Sequence, residues 1–204
     1  MSRTELLNQL QEHPDIVLLM QEVQVLLNRE QNKRKEFRNL IHENIKAEFI
    51  NGEMVMHSPV RRKHWKVSTN LVVRLGDYVN KNDLGEVGSE KVMIGLTRND
   101  YEPDIVFFNK EKAASFTPDQ LIFPAPNFVV EILSESTERY DRNEKFIDYA
   151  AHQVNEYWII DPDAQTVEQY INKNGTFELF QKLHQGSITS TMIKGFSIEL
   201  KDIF

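Results

Sequence analysis

The chain contains no cysteine, which removes disulfides, thiolate nucleophiles and cysteine-ligated zinc or iron–sulfur centres. No apolar run in it approaches the roughly 20 residues needed to cross a bilayer. The opening MSRTELLNQLQEHPD lacks the basic-then-apolar pattern of a secretory signal. A cytoplasmic protein with no membrane partner is the expectation. Basic charge is also short, with 24 Lys and Arg against 31 Asp and Glu and a formal net charge of −7. Strong non-specific binding to nucleic acid draws on positive charge, so that balance weakens it. A nuclease must also gather acids around metal, so net charge does not exclude one. HExxH, Walker, Rossmann-glycine and GxSxG patterns are all missing, and with them the usual signs of a zinc peptidase, a nucleotide cofactor or a serine esterase.

What is present fits a soluble globular protein of 204 residues, 40% hydrophobic and 27% charged. That length most simply makes one domain, or one domain with an appended arm. Residues 1–45 are expected to form the arm. Leu6, Leu7, Leu10, Ile16, Leu18, Leu19, Val23, Leu26 and Leu27 suggest helix interrupted near Pro14, and the charged stretch from Arg29 to Ile45 continues it. Its apolar positions need a surface to cover; a homodimer is the expected one, with packing entirely within one subunit as the alternative. Residues 46–204 are expected to form the main domain. AEFINGEMVMHSP reads as strand, Asn-Gly turn and strand. His64–Tyr78 has helical spacing, with Val67, Leu71 and Leu75 recurring. Short strands follow over Gly85–Leu96, and IVFF is the next strand. Residues 111–126, with three prolines, read as an irregular excursion. FVVEILS has the near-continuous apolar character of a strand buried on both faces. Glu138–His152 is helical in composition, EYWIID is a further strand, and the rest alternates as antiparallel strands.

Pro-Asp pairs occur at 14–15, 103–104, 118–119 and 162–163, and only Pro103-Asp104 directly precedes a strong strand. Asp104 and Glu131 therefore stand on neighbouring strands, where two carboxylates can share a divalent metal through hard oxygen ligands. The ordinary alternative is a turn cap or a lysine partner, since unpaired charge in a core is expensive. Lys145, 14 residues beyond Glu131, shares a helix face with Asp141, Asp148 and His152. It is either an exposed partner of Asp141 or an ammonium aimed at a water or a phosphate. Glu53 either faces solvent on a hairpin or extends the acid cluster. His64 either begins a helix or contacts phosphate and assists proton transfer. The basic clusters Arg29, Lys33, Arg34, Lys35, Arg38 and Arg61, Arg62, Lys63 are solvated surface or contacts to a phosphate backbone. Ser134, Ser136 and Thr137 look like turn residues, and Trp158 like core.

EYEPDIVFF followed by FVVEILSESTERYDRNEKFIDYAAHQVNEYWIIDPDAQTVEQY resembles the Uma-two family of restriction endonucleases within the PD-(D/E)XK nuclease superfamily. The similarity spans roughly residues 46–172. It implies a restriction-endonuclease-like α/β core, a mixed central sheet flanked by helices. It also implies that Asp104 and Glu131 are the two strand acids, and that Glu53 and His64 match the early-strand acid and the histidine before the first core helix. Leu133 stands where the superfamily pattern has lysine, and Lys145 is the substitute the resemblance offers. Asp141 and Tyr149 match positions that would orient it. The expected activity is Mg²⁺-dependent hydrolysis of DNA, with Mn²⁺ as a second candidate ion. Asp104, Glu131 and Glu53 would hold the metal, Lys145 would act on the attacking water, and Arg61, Arg62 and Lys63 would touch the backbone. A silent binding or assembly protein on the same fold, and a nuclease of RNA, are the alternatives.

Overall fold

The computed structural model describes residues 3–42, 45–56 and 59–204. Residues 1, 2, 43 and 44 of the arm, and His57 and Ser58 of the hairpin segment, lie outside the described residues. The arm forms α1 (Arg3–Glu12) and α2 (Ile16–Leu40), separated at Pro14, whose ring cannot continue a helix. The first half of α2 leaves Val17, Leu18, Met20, Val23, Val25 and Leu26 exposed. Its second half is fastened down. Phe37 is buried against Ala47, Phe49 and Met93, and Arg34 and Arg38 both grip the buried Asp100.

The main domain begins with β1 (Ala47–Ile50) and β2 (Glu53–Met56), followed by α3 (Arg62–Lys81), β3 (Gly85–Ser89), β4 (Met93–Gly95), β5 (Asp100–Tyr101) and β6 (Ile105–Asn109). A short α4 (Lys110–Ala113) and β7 (Ile122–Phe123) occupy the excursion that the prolines marked. Then come β8 (Phe128–Ile132), α5 (Glu138–Arg142), α6 (Glu144–Ala151), β9 (Glu156–Asp161), β10 (Thr166–Lys173), β11 (Thr176–Leu183), β12 (Ser187–Thr189) and β13 (Ser197–Glu199). Asn51 and Gly52 both take positive φ, 51° and 86°, as the tight β1–β2 turn requires. The expected single helix over Glu138–His152 is two helices, because Asn143 leaves helical geometry at φ −124°, ψ −82°.

The strands form a six-stranded mixed sheet in the order β11-β10-β9-β8-β6-β3 and a five-stranded sheet in the order β2-β1-β5-β4-β7, with β12 and β13 as a separate pair. In the larger sheet β8 and β9 run parallel and the other pairings are antiparallel. This is the α/β architecture of a restriction-endonuclease-like core. Strand alternation divides its two faces. Phe128, Val130, Ile132, Ile105, Phe107, Trp158 and Ile160 pack with α3, whereas Val129, Val106, Phe108, Tyr157 and Ile159 pack with α6. No helix among the described residues is long and apolar enough to cross a membrane.

Candidate active site

Glu131 lies between Val130 and Ile132, so alternation turns it to the α6 face. The β6–β8 register pairs Ile105 with Val130, and one more step sets Asp104 beside Glu131. The Asp104 carboxylate accepts the Ile132 backbone N–H at 2.8 Å and lies 3.3 Å from His64 Nε2. From the opposite side α6 inserts Lys145, which is only 2% exposed. Its ammonium donates to Glu131 Oε1 at 3.1 Å and lies 2.9 Å from Glu48 Oε1 and 3.1 Å from Asp141 Oδ1. Tyr149, one helical turn on, donates its hydroxyl to Glu131 Oε1 at 3.3 Å. The Glu102 backbone N–H donates to Glu48 Oε1 at 2.8 Å. Three carboxylates thus converge on one ammonium, with Asp104 and Glu102 close by.

Burial opposes ionisation of Glu131, and Asp141, Asp104 and Glu48 add repulsion that Lys145 only partly offsets, so its carboxyl is held well above its ordinary value. Burial raises Asp141 in the same way, against the opposing charge of Lys145 and with Glu48 and Asp104 adding to the rise. For Lys145 burial favours the neutral amine, yet Asp141, Glu131 and Glu48 outweigh it and keep the ammonium charged. Burial and the Glu131 charge push the Tyr149 phenol up, so it remains a hydrogen-bond donor.

Asp104, Glu131, Lys145 and Glu102 form the floor of a cleft of about 400 Å³ beyond the carboxyl ends of β8 and β9, and Glu48, Asp141 and Tyr149 lie buried behind it. Arg61, Lys63 and His64 from the start of α3 line one wall, and Ser134, Glu135 and Thr137 line the other. Arg61 pairs with Glu135 at 3.1 Å and Lys63 pairs with Asp163, joining opposite sides of the mouth. Both are exposed pairs of the kind that contribute about 0–1 kcal/mol.

The structure brings together Asp104, Glu131, Lys145, Asp141, Tyr149 and His64. It does not bring in Glu53. That carboxylate sits on the edge strand just after the turn, exposed, and pairs with Lys33 of the arm at 2.8 Å. The acid that β1 supplies is Glu48, 1% exposed. The sequence reading missed it, although AEFI carries the signature used for Glu131, an acid inside a strand buried throughout. Lys145 is not an exposed helix partner of Asp141, because the α6 face that carries it packs on the sheet. Arg61 and Lys63 line the cleft, and Arg62 is exposed beside it. In the earlier basic cluster, Arg34 and Arg38 are spent on Asp100 and Lys33 on Glu53. Trp158 is fully buried, as expected of core.

The Uma2 family model, described as "Putative restriction endonuclease", matches residues 34–201. The chain belongs to the Uma2 family. A crystal structure titled as a putative nuclease belonging to DUF820, from Anabaena variabilis ATCC 29413, superposes with a TM-score of 0.71 at 21% identity, covering 83% of this chain and 96% of that one. At that identity the likeness concerns the fold. The uncharacterized protein sll1609 of Synechocystis is 27% identical over 131 residues, 61% of this chain and 71% of that protein.

A nuclease family of this fold implies a divalent ion, and the donor set fits one. Carboxylate oxygens are the hard ligands that Mg²⁺ and Mn²⁺ take, and the acids here outnumber the single lysine that neutralises them. Among the described residues no group of three His, Asp or Glu side chains is already drawn together as a metal cage. The Lys145 ammonium sits among the carboxylates instead. Leu133, where the superfamily pattern has lysine, is 8% exposed and packs with Tyr149 and Ile159, so that β8 position belongs to the core at the cleft wall.

Proposed function

We propose that this Uma2 protein hydrolyses phosphodiester bonds of DNA with a divalent metal held by Asp104 and Glu131, and that Glu48 rather than Glu53 is the further acid of the site. The observation that carries this reading is the convergence of Asp104, Glu131 and Lys145 on the floor of one cleft, with Glu48 on the Lys145 ammonium behind them and basic residues at the mouth. Mg²⁺ or Mn²⁺ bound there would supply Lewis acidity to the phosphate and an acidified water. Lys145, held charged by its three acids, is an electrostatic group and not a base. It fixes the Glu131 carboxylate and stabilises negative charge developing on the phosphate. Asp141 and Tyr149 hold Lys145 and Glu131 in place. His64, with Nε2 on Asp104, fixes that carboxylate from the opposite wall, and Arg61, Arg62 and Lys63 meet the flanking phosphates. Hydrolysis adds the water oxygen to phosphorus, breaks one P–O ester bond and passes a proton to the leaving alkoxide.

Mg²⁺-dependent cleavage of supercoiled, linear and single-stranded DNA tests the reading, with RNA as a parallel substrate. Asp104→Asn and Glu131→Gln are expected to lose at least about a hundredfold in rate. Equal rates in both variants and the wild type would overturn the assignment. RNA cleaved in preference to DNA would move the substrate and keep the site. Metal-free binding without cleavage would make the fold a silent binding module.

The same proposal gives the arm an assembly role. The exposed apolar side chains of α2 from Val17 to Leu26 surround the helix rather than forming one stripe, a pattern normally found in buried helices. A second copy of this nearly uncharged segment would cover it without like-charge repulsion. Light scattering on the full chain is expected to give a dimer mass. A concentration-independent monomer would overturn this role.

A further inference from the structure

Three cationic side chains among the described residues, Lys46, Arg61 and Lys63, line the cleft outside its floor, and two of them are already engaged by Glu135 and Asp163. A protein that grips duplex DNA neutralises many phosphates, about 6–10 in tight complexes. This cleft lacks the charge for that. Its acids are also recessed, with Glu131 only 3% exposed, behind an opening whose volume of about 400 Å³ suits a nucleotide or two. A phosphate in a stacked duplex is held at the helix surface, whereas a single strand bends into a recess.

One turn along α3 from the opening is a large aromatic side chain that the fold does not bury. Trp65 is 46% exposed in the first turns of α3, while the other tryptophan, Trp158, is fully buried with its indole N–H on Glu156. Trp65 lies one turn after Arg61, its backbone N–H bonded to the Arg61 carbonyl. That bond closes the first turn of α3 on its N-cap Arg61, which is a cleft residue, and a helical side chain such as Trp65 leans back toward the helix start. Val60, 45% exposed, adds apolar surface to the wall. An indole one turn from the cleft's arginine has the character of a base-stacking platform, which needs little net charge because every base has a π-face.

We propose that the cleft takes single-stranded nucleic acid, with one unpaired base stacked on Trp65 and the adjoining phosphate passing Arg61 into the cleft. This rests on the phosphodiester reading of the site and narrows its substrate to unpaired strands, such as flaps, frayed ends or gaps. The strand displaces Glu135 from Arg61 as it enters.

Tryptophan fluorescence tests it, because Trp158 is sealed in the core and Trp65 alone meets solvent. Ten-residue oligo-dT, added to the full chain in EDTA so that cleavage is blocked, is expected to quench emission in the wild type. Trp65→Phe should remove most of the quenched signal. Trp65→Ala should weaken binding by about five- to a hundredfold, measured by fluorescence anisotropy of a labelled strand. With about three phosphates engaged, the slope of log K against log salt is expected near about −2. A blunt duplex that binds more tightly than oligo-dT, a slope near about −6, or an unchanged affinity in Trp65→Ala would each overturn the proposal. Cleavage of duplex with no dependence on Trp65 would overturn it while leaving the nuclease reading intact. Quenching and stacking without cleavage of any substrate would support the proposal and defeat the nuclease reading instead.

Discussion

Two buried acids stand on neighbouring strands of the same sheet, and their surroundings differ. Glu156, at the start of β9, is fully buried, and its carboxylate accepts from the Trp158 indole, the Gln169 amide, the Ser190 and Thr191 hydroxyls and the backbone N–H groups of Thr191 and Met192, all between 2.6 and 2.9 Å. Neutral donors saturate it and tie the C-terminal segment to the sheet. Glu131, on β8, has the Lys145 ammonium at 3.1 Å, shared with two other acids, and a long bond from Tyr149 at 3.3 Å. A buried acid that serves the fold is furnished with donors. On the proposed reading, one that stays crowded by like charge at the floor of a cleft is the one that takes a metal cation.

The largest effect should fall on the saturated acid. Glu156→Ala leaves a set of buried donors without an acceptor and is expected to cost about 3–5 kcal/mol, read as the loss of folding free energy in urea. Loss below about 1 kcal/mol would mean that water replaces the carboxylate and that the two acids are alike. Glu131→Gln should do the reverse. Its cleavage rate falls at least about a hundredfold, as above, while its melting temperature at pH 8 rises above that of the wild type. The sign follows from linkage. A carboxyl raised in the folded state favours folding in acid and loses that contribution as pH rises from about 4 through the folded value. The gain in Glu131→Gln should therefore shrink toward pH 4, and a variant less stable than the wild type at pH 8 would contradict the crowding of this acid.

Smaller in effect, and opposite in sign, are Asp100 and Glu168. At Asp100 burial is outweighed by Arg34 and Arg38, which hold the carboxyl below its ordinary value. At Glu168 burial is outweighed by hydrogen bonds from Arg142, Tyr170 and Lys182, which bring it to about 2. Both contribute fully above the unfolded value near about 4, and the Glu168 share drains as pH falls through about 2. Thermal melts between pH 5 and pH 2 should fall more gently in Glu168→Gln than in the wild type, and an identical slope would contradict the assignment. The smallest change is expected from Glu135→Gln at the cleft mouth. Freeing Arg61 should leave stability within about 0.5 kcal/mol and tighten oligo-dT binding about two- to fivefold. Weaker binding would show that the pair orders the mouth.

Much of this was legible in the chain. The FVVEILS strand, the Pro103-Asp104 approach and the Lys145 helix each fell where their local patterns placed them, because apolar runs and proline punctuation are local properties. The family-level fold followed from their order. Glu53 misled because both it and Glu48 flank the Asn-Gly turn, and only the pairing of β1 between β2 and β5 makes Glu48 the interior acid. That pairing is non-local. The same holds for Glu156, whose strand EYWIID looks like that of Glu131 until the donors around it are known. An acid inside a buried strand marks burial, and its partners decide whether it serves fold or chemistry. The split at Asn143 was likewise hidden, since EKFIDYAA and ERYDR both have helical composition.

Calorimetric titration of Mn²⁺ into the full chain at pH 7 puts the contrast between the two acids to its most direct test. Wild type and Glu156→Gln should each bind the ion at one cleft site, and Glu131→Gln should lose that binding by at least about tenfold in affinity. Binding of equal strength in wild type and Glu131→Gln, or no binding in the wild type, would contradict the assignment of the crowded carboxylates as a metal-using centre.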